Sequence, residues 1–195
     1  MHTKKLSSAL VKVGWLSLIL GFGLLIFIYW PVAKVEVNYR VGTSQVELQP
    51  VDTDFGIVIP KIGANAKVIA KVDPYNSLVY QRALTQGVAH AKTSSLPGQP
   101  GNVFIFSHSS VNFYEASRYN SIFYLLNKLE PGDEIRVYYQ GQPVTYRVSE
   151  TKIVSSSAVN YLQAGTGEPS LTLMTCWPAG TTYKRLIIIA RPVLR

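Results

Sequence analysis

The hydrophobic pattern divides the chain into one long apolar run and a series of short ones. Residues 13–33 carry no charged side chain, and residues 16–28 are almost wholly apolar. A bilayer core of ~30 Å takes roughly 20 helical residues to cross, so this run is long enough to span a membrane. Trp15 lies near one end, and Tyr29 and Trp30 lie at the other, where amphipathic aromatic side chains favour the headgroup region. The pattern therefore predicts a membrane helix.

The charges that flank this helix predict its orientation. Lys4, Lys5 and Lys12 precede it with no acidic residue among them, so the amino terminus is expected in the cytoplasm and the rest of the chain outside the cell membrane. A cleaved signal peptide is the alternative, but its apolar region is about 7–15 residues long and no clear A-x-A site follows, which favours an uncleaved single-pass anchor. The predicted organisation is a cytoplasmic stub (1–12), the anchor (13–33), a stalk (34–53) and an extracytoplasmic domain (54–195).

After the stalk, the apolar positions alternate or form short β-branched runs that are typical of strands. Within the stalk itself, residues 35–39 alternate and are a candidate strand. Turn residues separate several of the later runs, most clearly the Gln140-Gly141-Gln142 segment, which predicts a hairpin. The predicted strands cover residues 55–62, 66–72, 102–107, 134–139, 143–148, 171–176 and 184–191.

Helical periodicity is rare in the same part of the chain. Residues 76–84 are one candidate, and the spacing of Ile122, Leu125, Leu126 and Leu129 predicts another. Short strands with two or three small helices favour a mainly β fold of about 140 residues, either a mainly antiparallel closed barrel or a sandwich, with the barrel preferred.

Charge and cysteine content narrow the possible functions. The 195 residues have a net charge of +8, but three of the 19 basic residues precede the membrane helix. The remaining 16, against 11 acidic residues, form no cluster of the kind that binds nucleic acid. A single cysteine excludes an internal disulfide and a four-thiolate metal site.

Three residues with reactive side chains come at predicted strand ends. Cys176 is followed at once by Trp177-Pro178, Arg185 opens the next strand, and His108 closes an earlier one. A thiolate, an imidazole and a guanidinium form a set capable of acyl transfer through a thioester. The residues alone leave other interpretations open: an inert core cysteine, a surface histidine and a solvated arginine.

The sequence around these residues resembles the sortases, which are membrane-anchored cysteine transpeptidases with an eight-stranded β-barrel. The motif is Thr-Leu-Met-Thr-Cys at 172–176, followed by Trp-Pro-Ala-Gly and then by Arg185 in the last strand. The segment 102–108, Asn-Val-Phe-Ile-Phe-Ser-His, resembles the histidine segment of the family, although Ser107 and Ser109 stand where many members have Gly and Arg.

The resemblance implies a role for each residue. Cys176 is expected to be the nucleophile, His108 the general acid and base, and Arg185 the residue that binds substrate and stabilises the oxyanion. Other residues are expected to shape the site or bind substrate: Thr175, His90 (for which a structural role is an equal alternative), and Val159, Tyr161 and Leu162 in the loop between the sixth and seventh strands, roughly residues 154–169.

The predicted activity is cleavage of a C-terminal sorting signal through a thioester at Cys176, with transfer of the acyl group to an amine. The expected partners are surface or pilin proteins and an amine such as a peptidoglycan precursor or a pilin lysine, and no cofactor is expected. With one anchor, the chain resembles the short, class D/E-like members. The rivals are a thiol hydrolase of cell-wall peptides and a catalytically silent membrane-tethered β-domain. A metal site of His90, His108 and Cys176 is disfavoured because nothing supplies a fourth ligand.

Overall fold

A computed structural model describes residues 2–40, 48–109, 122–158, 161 and 167–193, and it divides into two compact units, Met1–Val35 and Glu36–Arg195. The first element is helix α1, His2–Arg40. Its segment Leu10–Trp30 has a mean hydropathy of 2.2 and exposed side chains, and by length and composition it can cross a membrane.

The candidate strand at residues 35–39 is wrong, because these residues lie inside α1. Extending an existing helix adds a hydrogen bond for each residue that is fixed, whereas a new strand needs a partner. Local alternation in the sequence does not supply that partner.

The predicted mainly antiparallel β-barrel is confirmed, with eight strands among the described residues. They close in the order β1-β2-β3-β4-β7-β8-β6-β5, and only the β2–β3 and β4–β7 pairs are parallel within this described barrel. The strands are β1 (Phe55–Ile59), β2 (Ala64–Val72), β3 (Val88–Ala91), β4 (Asn102–Phe106), β5 (Glu134–Tyr139), β6 (Gln142–Ser155), β7 (Ser170–Trp177) and β8 (Lys184–Pro192).

The predicted hairpin joins β5 to β6. Gln140 and Gly141 have positive φ values of 50° and 78°, which are the backbone angles of the tight turns that match strand twist. Strand β6 is longer than predicted. It continues past Val148 to Ser155 because β8 pairs with this polar stretch through a register shift between Val148 and Glu150.

The helix predicted at residues 76–84 is confirmed as α2 (Ser77–Leu84), and the Asn76 side chain accepts a hydrogen bond from the Val79 N–H at 3.2 Å at its start. The second predicted helix is largely wrong. The short element predicted there is reduced to a single 3-10 turn, Leu126–Lys128, and the three leucines that gave the helical spacing are buried.

Side chains on β3, β4 and β7 alternate between two buried environments. One set fills the barrel interior and includes Val103, Ile105 and Leu173. The other set lies on the outer side, here called the α2 face, where Phe104, Phe106 and the partly buried Met174 pack in one cluster with α2 residues, as do Ala89 and Ala91 of β3. Because neighbouring side chains point in opposite directions, each strand residue can be assigned to one face.

Candidate active site

Cys176 is positioned by β7, the strand between β4 and β8. It is the penultimate residue of that strand, it is half-buried, and its thiol is free. Met174 lies two residues earlier on the α2 face, so strand alternation directs Cys176 to the same face. The thiol therefore lies at the end of an apolar surface rather than inside the barrel.

Arg185 lies directly opposite Cys176 on the antiparallel strand β8. Directly opposite residues have Cβ atoms about 4.5–5.5 Å apart and share one face of the sheet. The Arg185 Nη1 atom donates hydrogen bonds to the carbonyl oxygens of Thr182 and Lys184, both at 3.0 Å. These bonds hold the guanidinium at the end of the loop that links the two strands.

The parallel pairing of β4 with β7 relates the position of His108 to that of Cys176. The register runs to Phe106 opposite Met174, and the next backbone contact is the Ser107 N–H, which donates to the Met174 carbonyl at 3.1 Å. Two residues beyond Phe106 and Met174 come His108 and Cys176, so the structure places the two at adjacent strand ends. His108 is half-buried.

Thr175 belongs to the opposite face. It is buried, and its Oγ1 donates to the Ser107 carbonyl at 3.0 Å. Its contact is therefore with the backbone that carries His108, and it ties the histidine segment to the strand that carries Cys176.

His90 is not brought together with the other three residues. It pairs with Ile105 in the β3–β4 register, while its neighbours Ala89 and Ala91 pack on the α2 face. Its ring is 1% exposed and lies 5.4 Å from the Phe55 ring between centroids. The groove-lining position considered for His90 is thus replaced by one in the barrel interior.

The His90 ring is held by hydrogen bonds at both nitrogens. Nδ1 accepts from the Lys71 N–H at 3.3 Å, which assigns the ring proton to Nε2. Nε2 then donates to the Ser95 carbonyl at 3.0 Å and lies 2.9 Å from Ser94 Oγ. Burial, together with the nearby Lys71 charge, lowers the pKa of His90, although the Ser95 bond opposes this shift. The ring is a neutral link between strands.

Of the loop residues predicted to read substrate, Val159 and Leu162 lie outside the described residues. Tyr161 is described and half-buried, and it packs against the cluster on the α2 face. Its carbonyl accepts a hydrogen bond from Asn102 Nδ2 at 3.3 Å.

Two buried polar residues on the strands or loops that carry the site were not predicted from the sequence. Asn102 begins β4, and Ser109, which is 1% exposed, accepts a hydrogen bond from the Gly180 N–H at 3.4 Å across the β7–β8 loop. The signal for Asn102 is a lone amide at the head of an apolar run. Ser109 has no comparable signal, because a serine after a strand is ordinary in a loop.

The arrangement supplies the parts of a nucleophilic acyl transfer. A thiol, an imidazole and a guanidinium come from three neighbouring strand ends, at the border of an apolar surface. Within the described residues, no group of three or more His, Cys, Asp or Glu side chains is placed to hold a metal ion.

Comparison with known proteins agrees with this fold. A family model described as the sortase domain matches residues 57–193. Sortase D of Bacillus subtilis (strain 168) is 28% identical over 165 residues, which are 83% of this chain and 71% of that protein.

Solved structures are similar over most of the chain. The Clostridium perfringens Sortase D5 transpeptidase aligns with a TM-score of 0.59 and 21% identity, covering 83% of this chain and 95% of that one. Sortase C-1 from Actinomyces oris aligns with a TM-score of 0.61 and 23% identity, covering 84% and 99%. At these identities, the structures support the fold. The match of the family model over most of the chain shows that this protein belongs to the sortase family, a family of transpeptidases.

Proposed function

We propose that this protein is a membrane-anchored cysteine transpeptidase in which Cys176 is the nucleophile, His108 the general acid and base, and Arg185 the oxyanion-stabilising residue. The observation that supports this assignment best is the strand register. Cys176 is paired with Arg185 across β7 and β8, and the β4–β7 pairing leads to His108 on the other side.

In the first half-reaction, the Cys176 thiolate, whose proton His108 has taken, attacks the carbonyl carbon of a Thr–Gly-type bond in a C-terminal sorting signal. The carbonyl oxygen gains negative charge, and Arg185 stabilises it because a guanidinium stays charged and offers several N–H donors. The C–N bond then breaks, the departing amine takes a proton from His108, and a thioester to Cys176 remains.

In the second half-reaction, an amine attacks the thioester carbonyl and gives up a proton to His108. The C–S bond breaks, a new amide forms, and the thiolate returns to its starting state. A peptidoglycan precursor or a pilin lysine supplies this amine, and the acyl donor is a surface or pilin protein.

The proposed location follows from helix α1. The lysines before the apolar segment favour a cytoplasmic amino terminus, and this supports a barrel on the outer side of the cell membrane. Exported proteins and lipid-linked precursors both reach the thiol at that surface.

The test uses the full chain in detergent micelles with a library of peptides that contain a Thr–Gly bond, with and without an added amine, read by mass spectrometry. We expect a new amide product when the amine is present. Cys176→Ala should lower its rate by roughly 10³-fold or more, because the nucleophile is lost. Free acid as the product in both arms would favour a thiol hydrolase.

Alkylation supplies a control that does not depend on finding the right peptide. Because the chain has one cysteine, iodoacetamide can add a single mass increment at Cys176, and none in Cys176→Ala. Rapid alkylation of the folded protein is expected. A thiol that reacts only after denaturation, together with no cleaved peptide, would favour the silent β-domain.

A further inference from the structure

Asn102 is a polar side chain at the head of an otherwise apolar, buried strand. It is 8% exposed, and the four residues that complete β4 are apolar and buried. Burying an amide costs free energy unless its donor and acceptor groups are both satisfied. Its hydrogen-bond partners therefore indicate why an amide stands there.

The acceptor end of Asn102 binds β7. Oδ1 accepts from Thr172 Oγ1 at 2.9 Å and from Ser170 Oγ at 3.2 Å. Thr172 is on the same strand as Cys176, four residues earlier, and strand alternation gives the two the same face. A hydroxyl or carboxylate acceptor would serve these two donors equally well.

The donor end serves a different segment. Nδ2 donates to the Tyr161 carbonyl at 3.3 Å, and that oxygen can only accept, so the amide orientation is fixed by the contact. The Tyr161 side chain also packs on the cluster that contains Phe104 and Phe106, with Met174 against the same cluster. Met174 is two residues from Cys176 along β7.

We propose that Asn102 is a positioning residue that holds Tyr161 against the α2 face, and that this contact sets the affinity for the acyl-donor peptide. The inference rests on the proposed function, because it assumes that the peptide approaches Cys176 along the apolar surface beside Tyr161. Only the NH2 group of Asn102 carries this role, since Oδ1 is engaged with β7.

The near-isosteric variant Asn102→Asp separates the two ends of the side chain. The carboxylate keeps the acceptor for Thr172 and Ser170 but has no N–H for the Tyr161 carbonyl. Thr172→Val is the matched control, because it removes one bond to β7 and leaves the Tyr161 contact in place. Asn102→Ser, whose hydroxyl is too short to reach Tyr161, serves if the aspartate variant does not fold.

The kinetic test uses the full chain in micelles and the Thr–Gly library peptide that the unaltered protein cleaves fastest. One net hydrogen bond corresponds to about a three- to tenfold change in an equilibrium constant. We expect Asn102→Asp to raise KM for the peptide by about that factor, with kcat and the KM for the amine within about twofold of the unaltered values. Thr172→Val should change all three by less than about twofold.

A second readout does not depend on activity. In hydrogen exchange, Asn102→Asp should accelerate exchange in the peptic fragment that contains Tyr161 and leave the fragment from α2 unchanged. Unchanged exchange at Tyr161, or the same KM increase in both variants, would overturn the positioning role. If the unaltered protein cleaves no peptide, the proposed function and the substrate part of this inference fail, and exchange still decides whether the contact holds Tyr161.

Discussion

The two histidines have different environments: His90 lies on β3, and His108 follows the neighbouring strand β4. His90, on β3, faces the barrel interior, is 1% exposed and is held at both ring nitrogens. His108 lies just beyond β4 and is half-buried, and the β4–β7 register leads from it to the adjacent strand end that carries Cys176. One residue type therefore serves as a structural link in one strand and as the proposed proton carrier in the next.

The difference in environment between the two histidines comes from the alternation of side chains along each strand, and not from the local sequence. Each histidine ends or nearly ends a short apolar strand, but side chains alternate between faces, so a shift of one position exchanges the interior for the α2 face. The β3–β4 register sets His90 opposite Ile105, an interior residue, whereas His108 follows Phe106 by two positions. Substitutions at and around the two histidines test this contrast.

Replacing His108 should affect catalysis and leave the fold intact. His108→Ala is expected to lower the rate of amide formation by about 10²–10⁴-fold, the usual contribution of a general acid and base. Its free energy of unfolding should change by less than about 1 kcal/mol because the side chain is half-buried. Product rates from mass spectrometry and urea denaturation of the full chain check the two values. Full activity in His108→Ala would remove it from the mechanism.

Replacing His90 should lower the stability of the fold and leave catalysis intact. His90→Ala leaves a cavity and deprives the Lys71 N–H and the Ser95 carbonyl of a partner, so the free energy of unfolding should fall by about 2–4 kcal/mol. The folded fraction should keep kcat within about twofold. Measuring activity below the unfolding transition separates the two effects, and a stable but inactive variant would contradict the structural assignment.

Two adjacent serines test how much one hydroxyl contact of His90 contributes to the free energy of unfolding. Ser94 uses its hydroxyl, which accepts from the Phe104 N–H at 3.1 Å and contacts His90 Nε2, whereas Ser95 gives His90 its carbonyl. Ser94→Ala should therefore lower the free energy of unfolding by about 1–2 kcal/mol. Ser95→Ala is the matched control and should change it little, as urea denaturation of both variants would show. Equal losses in the two would mean that the hydroxyl is not part of the link.

The acid dependence of stability is the smallest expected effect. Burial lowers the folded-state pKa of His90, so below its unfolded value of about 6.5 the unfolded chain takes up a proton that the folded one resists. Stability should be full above that pH and fall as the pH drops towards the folded value, by at most about 1.4 kcal/mol per pH unit.

Urea denaturation between pH 7.5 and 5.5 measures this slope. His90→Gln should flatten the slope of the free energy of unfolding against pH, while His108→Gln should retain it. That result would assign the proton uptake on unfolding to His90. A slope that survives in His90→Gln and disappears in His108→Gln would reverse the assignment. The carboxylates with lowered pKa values, Asp52 and Asp73, titrate at lower pH and lie outside this window.

Much of the fold was predictable because strong local signals agree with tertiary contacts. Apolar runs bounded by turn residues located seven of the strands. Strand β3 was missed because its four residues, Val-Ala-His-Ala, are too few and too rich in alanine to form a β pattern.

The candidate site was only partly predictable for a different reason. Motif residues can be located by sequence, but the face on which a strand residue lies depends on register, which non-local pairs set. His90 shows this limit. The two-ended role of Asn102 is another case, because its partners at Thr172 and Tyr161 come from two distant segments.

The parallel pairing of β4 with β7 also has a consequence for how the protein matures. Cys176 and Arg185 meet within a single hairpin, whereas the contact between Ser107 and Thr175 closes a separation of 68 residues. Contacts between residues so far apart in the sequence form late, because the loop-closure entropy must be overcome first. The folding chain would therefore pair Cys176 with Arg185 early and acquire His108 only as the barrel closes, so under the proposed mechanism partly folded molecules would be poor catalysts.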